Sequence, residues 1–187
     1  MRCLLCAKWS ISLICGECDR LFAPTPKLHT LKHLNLISFY DYDAIETLLW
    51  AKYHAFGSFI LQRLAKKAFR PFFCDLKLEK EAALIPVDDR PNAFFSHTAI
   101  LAKYGAGGVT RPYFGCLRAK STVKYAGKTL SFRKKHPRGF MCKKFPLEDA
   151  ILVDDLCTTG TTLLEAEDAL RRRGKKTLFA VTLAKAM

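Results

Sequence analysis

Residues 151–162 constrain the fold of this chain more than any other stretch. They read Ile-Leu-Val-Asp-Asp-Leu-Cys-Thr-Thr-Gly-Thr-Thr, and a helical pattern follows over 163–173. A short apolar run bounded by turn residues predicts a buried strand, and a fully apolar strand is typical of a parallel sheet. In an open α/β sheet, ligands collect where such a strand ends and the next helix begins. The stretch therefore predicts an α/β fold with a ligand site directly after residue 153.

The side chains at this strand end predict the kind of ligand. Backbone N–H groups and the helix dipole at the following helix favour a phosphate. Asp154 and Asp155 suit sugar hydroxyls or water-coordinated Mg²⁺. Four hydroxyls and a glycine that permits close backbone approach complete the turn: Thr158, Thr159, Gly160, Thr161 and Thr162. Together they predict a sugar phosphate held at both ends.

The alternative is an ordinary strand–turn–helix with a threonine-rich N-cap. Two adjacent acids at the end of a buried strand are costly without a partner or a ligand, so the ligand site is favoured. The stretch also resembles the binding motif of type I phosphoribosyltransferases. That resemblance implies a mainly parallel sheet flanked by helices. It further implies that Asp154 and Asp155 hold the ribose of 5-phosphoribosyl 1-pyrophosphate (PRPP) with Mg²⁺, while residues 158–162 hold its 5′-phosphate.

Four cysteines near the N-terminus predict a metal site. Cys3, Cys6, Cys15 and Cys18 form two C-x₂-C pairs, and two such pairs complete a tetrahedral sulfur shell for structural Zn²⁺. Disulfides and an iron–sulfur centre are the alternatives. We assign residues 1–22 to this zinc knuckle, which is too small for a core of its own. The other four cysteines are interpreted as semi-buried residues, with Cys157 a candidate reactive thiol because it lies near a helix start.

Positive charge is concentrated in one segment of the chain. The net charge is +14, and residues 90–147 contain no Asp or Glu. A one-signed block of this kind favours a polyanionic partner such as nucleic acid, pyrophosphate or an anionic membrane surface. No apolar run reaches the length of a membrane span and the N-terminus lacks a leader-like pattern, so we expect a globular cytoplasmic protein.

The rest of the sequence predicts strands alternating with helices, as in a parallel sheet. We assign residues 34–187 to this main domain and residues 118–144 to a basic flexible loop within it. Strands are expected at 34–42, 82–87, 112–117, 151–154 and 177–183. Helices are expected at 44–53, 59–69 (ended by Pro71), 96–104 and 161–173.

The resemblance to type I phosphoribosyltransferases assigns roles to two further loops. A pyrophosphate loop is implied at Val87, Asp88, Asp89 and Arg90. A basic lid that closes over a leaving anion is implied downstream, and its cations also suit nucleic-acid phosphates. These lid residues are Arg118, Lys120, Lys124, Lys128, Arg133, Lys134, Lys135 and Arg138.

The whole chain is similar to the ComF/GntX family. The similarity rests on the four-cysteine knuckle, a hairpin-plus-helix unit ending at Lys52 and Tyr53, a strand ending at Pro86 and Val87, a basic loop closing at Phe140, and the 151–162 motif. It implies a cytoplasmic protein that handles incoming single-stranded DNA during natural transformation. It also implies contacts with DNA-uptake proteins at the inner membrane.

The sequence departs from that family pattern where chemistry is expected. Relatives have a second proline where this chain has Asp88, and Asp89 adds another charge that repels pyrophosphate unless Mg²⁺ bridges them. The stretch 93–97 and the region of Tyr125 also differ from the pattern. No catalytic residue is assigned. An active phosphoribosyltransferase and a non-catalytic PRPP sensor therefore both stay open.

Aromatic residues in the basic segment support single-stranded DNA as a ligand, because exposed rings stack on bases while Lys and Arg follow the phosphates. Some of these rings are expected in the core instead, Phe114 among them because it falls within a predicted strand. The aromatic residues are Tyr113, Phe114, Tyr125, Phe132 and Phe140.

Overall fold

The computed structural model describes residues 1–88, 95–121 and 138–186. A mainly parallel sheet runs through the middle of these residues. Its order is β1-β2-β8-β7-β3-β4, and only β1 and β2 pair antiparallel. The six strands are β1 (Lys27–Leu31), β2 (Leu34–Asp41), β3 (Ala82–Pro86), β4 (Thr110–Pro112), β7 (Asp149–Cys157) and β8 (Lys176–Lys185). A separate antiparallel ribbon contains β5 (Leu117–Ala119) and β6 (Phe140–Cys142).

Helices cover both faces of the sheet. The described helices are α1 (Gly16–Leu21), α2 (Tyr42–Trp50), α3 (Gly57–Asp75), α4 (His97–Tyr104) and α5 (Thr161–Arg171), with a 3₁₀ turn at Ala51–Tyr53. Alternate strand residues build two cores: Leu84 and Val153 face α2–α4, while Ile85 and Leu152 face α5 and the ribbon. The predicted α/β class, with a mainly parallel sheet between helices, is thus confirmed.

The strand order creates a crevice at the ends of β3 and β7. After β3 the chain moves outward to β4, and it then returns to place β7 on the other side of β3. This reversal is the topological switch point, where neighbouring loops diverge and leave room for a ligand. The register pairs Pro86, the last residue of β3, with Val153 inside β7, so Val87 and Asp88 follow β3 beside the last residues of β7.

The cysteine-containing N-terminal segment packs against α3. Cys3, Cys18 and Phe22 belong to the same buried core as α3. The Asp19 carboxylate accepts a hydrogen bond from Arg63 Nε at 2.8 Å, and Lys67 Nζ donates to the Phe22 carbonyl at 3.2 Å. The knuckle is therefore attached to the main core by apolar and charged contacts.

Several predicted element bounds were wrong. Pro71 lies inside α3, because burial of Phe73 among the rings of Phe69 and Phe72 offsets the hydrogen bond that proline cannot donate. The strand at 112–117 is instead two short strands in different sheets. By contrast, the strand predicted at 34–42 is present as β2, which forms a hairpin with β1 and joins the main sheet by pairing with β8.

The ends of the predicted basic loop are ordered as the β5–β6 ribbon, contrary to the expectation of a loop throughout 118–144. Leu117 and Phe140 of the ribbon are buried in the core that α5 shares, which explains why both ends are held. Among the described residues, none of the helices combines the length and apolar character that a bilayer crossing demands.

Candidate ligand-binding site

A cavity of about 330 Å³ occupies the crevice at the ends of β3 and β7. One wall is polar and contains the carboxylates and hydroxyls of the 151–162 motif. The other is formed by α2 and the turn after it. The lining residues used below are Tyr42, Trp50, Lys52, Tyr53, Val87, Asp88, Arg138, Asp154, Asp155, Thr158 and Thr162.

The two motif carboxylates have opposite electrostatic environments. Burial, together with the adjacent Asp155 charge, raises the pKa of Asp154 to about 7. Burial also disfavours ionisation of Asp155, but Lys52 Nζ lies 2.7 Å from its Oδ2 and holds the pKa of Asp155 below its ordinary value. Asp154 therefore has unused capacity for a cation or hydroxyl donors, whereas Asp155 is committed to Lys52. The assignment of both carboxylates to a ribose stays a prediction.

Lys52 and His97 support Asp155 from beneath the cavity. His97 Nε2 lies 3.1 Å from the Lys52 carbonyl oxygen and therefore carries the hydrogen, while its Nδ1 is 3.9 Å from Asp155. Burial lowers the pKa of His97, which favours the neutral ring. Neither residue was assigned to the site from sequence. Lys52 appeared only as part of a family feature, and 103 positions separate it from Asp155.

Replacing Lys52 by methionine is expected to destabilise the protein by about 2–3 kcal/mol, because it leaves the Asp155 carboxylate buried and unpaired. Denaturant unfolding of the variant measures this free energy. Lys66→Met, at an exposed position of α3, is the matched control and should change stability little. Equal stability of the two variants would show that Asp155 does not depend on Lys52.

The threonine-rich turn presents the start of α5 to the cavity. Gly160 precedes the helix with φ +75°, a conformation that favours glycine, and a Cβ there would approach Leu31 Cδ1 to 2.9 Å. Thr159 Oγ1 lies 3.0 Å from Thr161 Oγ1. Thr158 and Thr162 line the cavity. The turn brings all five predicted phosphate-site residues to one helix N-terminus, where N–H groups and hydroxyls favour an anion.

Asp88 is held by the ribbon at the opposite edge of the cavity. Its Oδ2 accepts from Arg138 Nη1 at 3.0 Å, and its Oδ1 accepts from the Ala119 backbone N–H at 3.0 Å. The Arg138 backbone N–H donates to Glu165 of α5 at 2.7 Å. The ion pair with Arg138 thus offsets the negative charge of Asp88. From the sequence, only Mg²⁺ was expected to offset this charge. Val87 lines the same edge, and Asp89 and Arg90 lie outside the described residues.

The predicted lid residues do not all meet at this cavity. Arg138 lines it, whereas Arg118 and Lys120 line a second cavity on the other side of the ribbon. The remaining five lie outside the described residues: Lys124, Lys128, Arg133, Lys134 and Lys135.

Aromatic side chains of α2 and the turn after it, here called the aromatic wall, also line the cavity. The rings of Trp50 and Tyr53 lie 5.7 Å apart, and their side chains are 55% and 47% exposed. Glu46 accepts hydrogen bonds from Tyr42 Oη at 2.8 Å and from Trp50 Nε1 at 3.5 Å, so one carboxylate positions two rings. A planar group could stack on this wall.

The four N-terminal cysteines form one cluster. Their sulfur atoms all lie within 4.8 Å of one another, and Cys6 Sγ is 3.7 Å from Cys15 Sγ. A disulfide needs about 2.05 Å, whereas a tetrahedral Zn²⁺ with bonds of about 2.3 Å places its sulfurs about 3.8 Å apart. Backbone N–H groups of Cys15 and Cys18 point at Cys3 Sγ and Cys15 Sγ. The cluster has the donor set and spacing to hold zinc.

The other predicted cysteines and rings are mostly structural. Burial raises the pKa of Cys157 to about 11, which opposes its interpretation as a reactive thiol. Cys74 is exposed rather than semi-buried.

Phe140 is buried and Tyr113 packs on Phe145, but Phe114 is 52% exposed because it lies in a turn and not in the strand expected there. Tyr125 and Phe132 lie outside the described residues.

Comparison with known proteins finds similarity to ribose-phosphate pyrophosphokinases. The chain is 31% identical over 110 residues to that of Vibrio vulnificus and 30% identical over 110 residues to that of Vibrio parahaemolyticus. Each match covers 51% of this chain and 34% of the relative, so the chain spans about a third of the length of the curated relatives it matches. No family model matches the chain. The similarity, the parallel sheet between helices and the cysteine cluster agree with the predicted type I phosphoribosyltransferase fold.

Proposed function

We propose that this chain binds PRPP with Mg²⁺ in the cavity after β7. One observation carries the proposal: the Asp154 carboxylate and the threonine-rich N-terminus of α5 line the same crevice at the topological switch point. The Vibrio relatives add support, since their name specifies a ribose phosphate and a pyrophosphate.

Each part of PRPP has a matching group in this arrangement. The 5′-phosphate accepts hydrogen bonds from the backbone N–H groups and hydroxyls of residues 158–162. Asp154 accepts from the ribose hydroxyls, and Lys52 holds Asp155 in place behind it. The pyrophosphate approaches the loop at Val87 and Asp88, where the ion pair with Arg138 offsets the Asp88 charge that would otherwise repel it.

The residues at this edge also fit Mg²⁺. Oxygen donors are what this ion prefers, and it commonly binds through one or two carboxylates and substrate phosphates. Asp154 and Asp88 are two carboxylates that line the cavity. A bound divalent ion would offset the charge of the pyrophosphate and the repulsion between the two acids. Zinc is assigned separately, as a structural ion of the knuckle.

A ligand series tests the proposal. By isothermal titration calorimetry with Mg²⁺, PRPP should bind at least tenfold more tightly than ribose 5-phosphate or pyrophosphate alone, because only PRPP engages both ends of the cavity. Tighter binding of pyrophosphate than of PRPP would contradict the proposed ribose site.

The aromatic wall favours a transferase over a sensor. Trp50 and Tyr53 stand beside the position expected for the ribose, where a planar acceptor would stack before attack on C1. An active phosphoribosyltransferase releases pyrophosphate only when an acceptor is present, whereas a non-catalytic PRPP-sensing regulator saturates with PRPP and releases none. A coupled pyrophosphate assay across nucleobases separates the two.

We place this activity in natural transformation, where the chain would handle incoming single-stranded DNA in the cytoplasm and contact DNA-uptake proteins at the inner membrane. The similarity to the ComF/GntX family and the net charge of +14 support this setting. The domain division follows the same proposal: a zinc knuckle at 1–22 and a phosphoribosyltransferase-like domain at 34–187, whose basic segment spans 118–144.

A further inference from the structure

A second cavity lies between the β5–β6 ribbon and the C-terminal half of α5. Its volume is about 590 Å³. We name it the ribbon groove. Of the residues that the structure describes, five basic ones and no acidic one line it: Arg118, Lys120, Lys143, Arg172 and Arg173. Arg118 and Lys120 were predicted as lid residues. Lys143 directly follows β6, and Arg172 and Arg173 directly follow α5.

Four of these cations have no acidic partner among the described residues. Arg172 pairs with Asp168 on the same helix at 2.5 Å. The other four are exposed and make no salt bridge to any part of the chain that the structure describes: Arg118, Lys120, Lys143 and Arg173. Cations gathered in one groove repel each other and raise the local concentration of polyanions. The groove therefore has the electrostatics of a phosphate-binding surface.

Exposed apolar side chains accompany the charges. Met141 lines the groove and is 51% exposed. Phe114 is 52% exposed and directly precedes Gly115, another lining residue. A ligand made only of phosphate gains no binding energy from an aromatic ring or a thioether, whereas the bases of a single strand stack on such surfaces. The combination favours single-stranded nucleic acid over a free polyphosphate.

The ribbon groove and the cavity proposed for PRPP, called the PRPP cavity below, share no lining residue among those that the structure describes. Arg138 lines the PRPP cavity, and the next residue, Gly139, lines the groove. None of the groove's lining residues belongs to the 151–162 motif. The two sites can therefore be altered independently.

We infer that the ribbon groove binds the sugar–phosphate backbone of single-stranded nucleic acid, with its four exposed cations on phosphates and Phe114 stacked on a base. The identity of the ligand rests on the nucleic-acid role given under the proposed function. The position of the binding site rests only on the residues of the ribbon groove.

Fluorescence anisotropy with a labelled single strand of about twenty nucleotides tests it, since sites on such proteins span roughly 4–16 nucleotides. The Lys143→Ala/Arg173→Ala variant should bind about tenfold more weakly, and the slope of log K against log salt should fall by about 1.4, or about 0.7 for each phosphate contact. Phe114→Ala should weaken binding about fivefold or more without changing that slope.

Lys66→Ala/Arg70→Ala is the matched control, because it removes the same charge from exposed positions of α3 on the other face of the sheet. It should retain affinity within about twofold. Equal losses in both double variants would overturn the inference, as would competition by inorganic tripolyphosphate as effective as that by unlabelled strand.

PRPP titration of Lys143→Ala/Arg173→Ala should match the wild type. A parallel loss of PRPP affinity would contradict a separate groove, whereas absence of PRPP binding in every protein would count against the PRPP proposal alone.

Discussion

We expect the Asp154→Asn variant to bind PRPP about a hundredfold more weakly than the wild type. Asparagine keeps the side-chain oxygen that accepts from the Asp155 backbone N–H at 2.9 Å, so the local structure is retained. It loses the negative charge that strengthens hydrogen bonds to ribose hydroxyls and attracts Mg²⁺. Two charge-assisted hydrogen bonds contribute about 3 kcal/mol in total, which corresponds to this loss. Calorimetric titration with PRPP and Mg²⁺ measures the change.

The same substitution should not destabilise the folded protein. Burial and the neighbouring Asp155 raise the pKa of Asp154 to about 7, above its ordinary value of 3.8. A raised folded-state pKa means that the wild type loses stability as pH rises from about 4 to about 7, while the amide of the variant cannot ionise. Without Mg²⁺, the melting temperature of Asp154→Asn minus that of the wild type should therefore increase between pH 5 and about pH 8.

Asp155→Asn is the matched control with the opposite expected behaviour. It leaves the Lys52 ammonium without its carboxylate in a buried position, so the melting temperature should fall. If Asp154→Asn binds PRPP as tightly as the wild type, the assignment of Asp154 to the ribose is wrong. Together the two variants separate a carboxylate kept for binding from one kept for structure.

Local patterns were sufficient to predict the centre of the fold. The apolar run ending at Val153 predicted a strand, although β7 is longer than expected and continues through both acids to Cys157, while the threonine-rich turn and the helical period predicted the start of α5. The paired C-x₂-C spacing likewise gave the cysteine cluster. In each case the determining residues are neighbours in sequence, so the chemistry and the local structure are specified together.

Long-range contacts were not predictable in the same way. Lys52 reaches Asp155 across 103 positions, and Asp88 meets Arg138 across 50. Such pairs depend on the order of the strands in the sheet, and a short sequence pattern does not determine that order. Pro71 shows the same limit for secondary structure: the local rule ends a helix there, but packing of three phenylalanine rings extends it.

The aromatic residues were misjudged for a related reason. Phe114 was expected in the core because residues 112–117 read as one strand. The structure breaks that stretch after Pro112, and the turn leaves the ring exposed. Phe140, whose sequence surroundings are basic, is buried because the ribbon packs it towards α5. Burial follows tertiary packing more than the polarity of neighbouring residues.

Removal of zinc should lower the stability of the whole chain, not only of the knuckle. Ligation by the four thiolates is expected to provide most of the folding free energy of residues 1–22, because a segment of this length is too small for a core of its own. Because Cys3, Cys18 and Phe22 form part of the core on α3, loss of the metal site should also expose that core. We expect a loss of roughly 4 kcal/mol and a melting temperature about 10 °C lower or more.

Two cysteine variants make this prediction specific. Cys18→Ser removes one thiolate of the buried cluster and should reduce both the bound zinc, measured by elemental analysis, and the melting temperature. Cys74→Ser removes an exposed thiol outside the cluster and should change neither quantity. A Cys18→Ser protein with full zinc content and an unchanged melting temperature would contradict the structural role of the site. A fall in zinc content alone would mean that the Arg63–Asp19 and Lys67 contacts hold the segment on α3 without the ion.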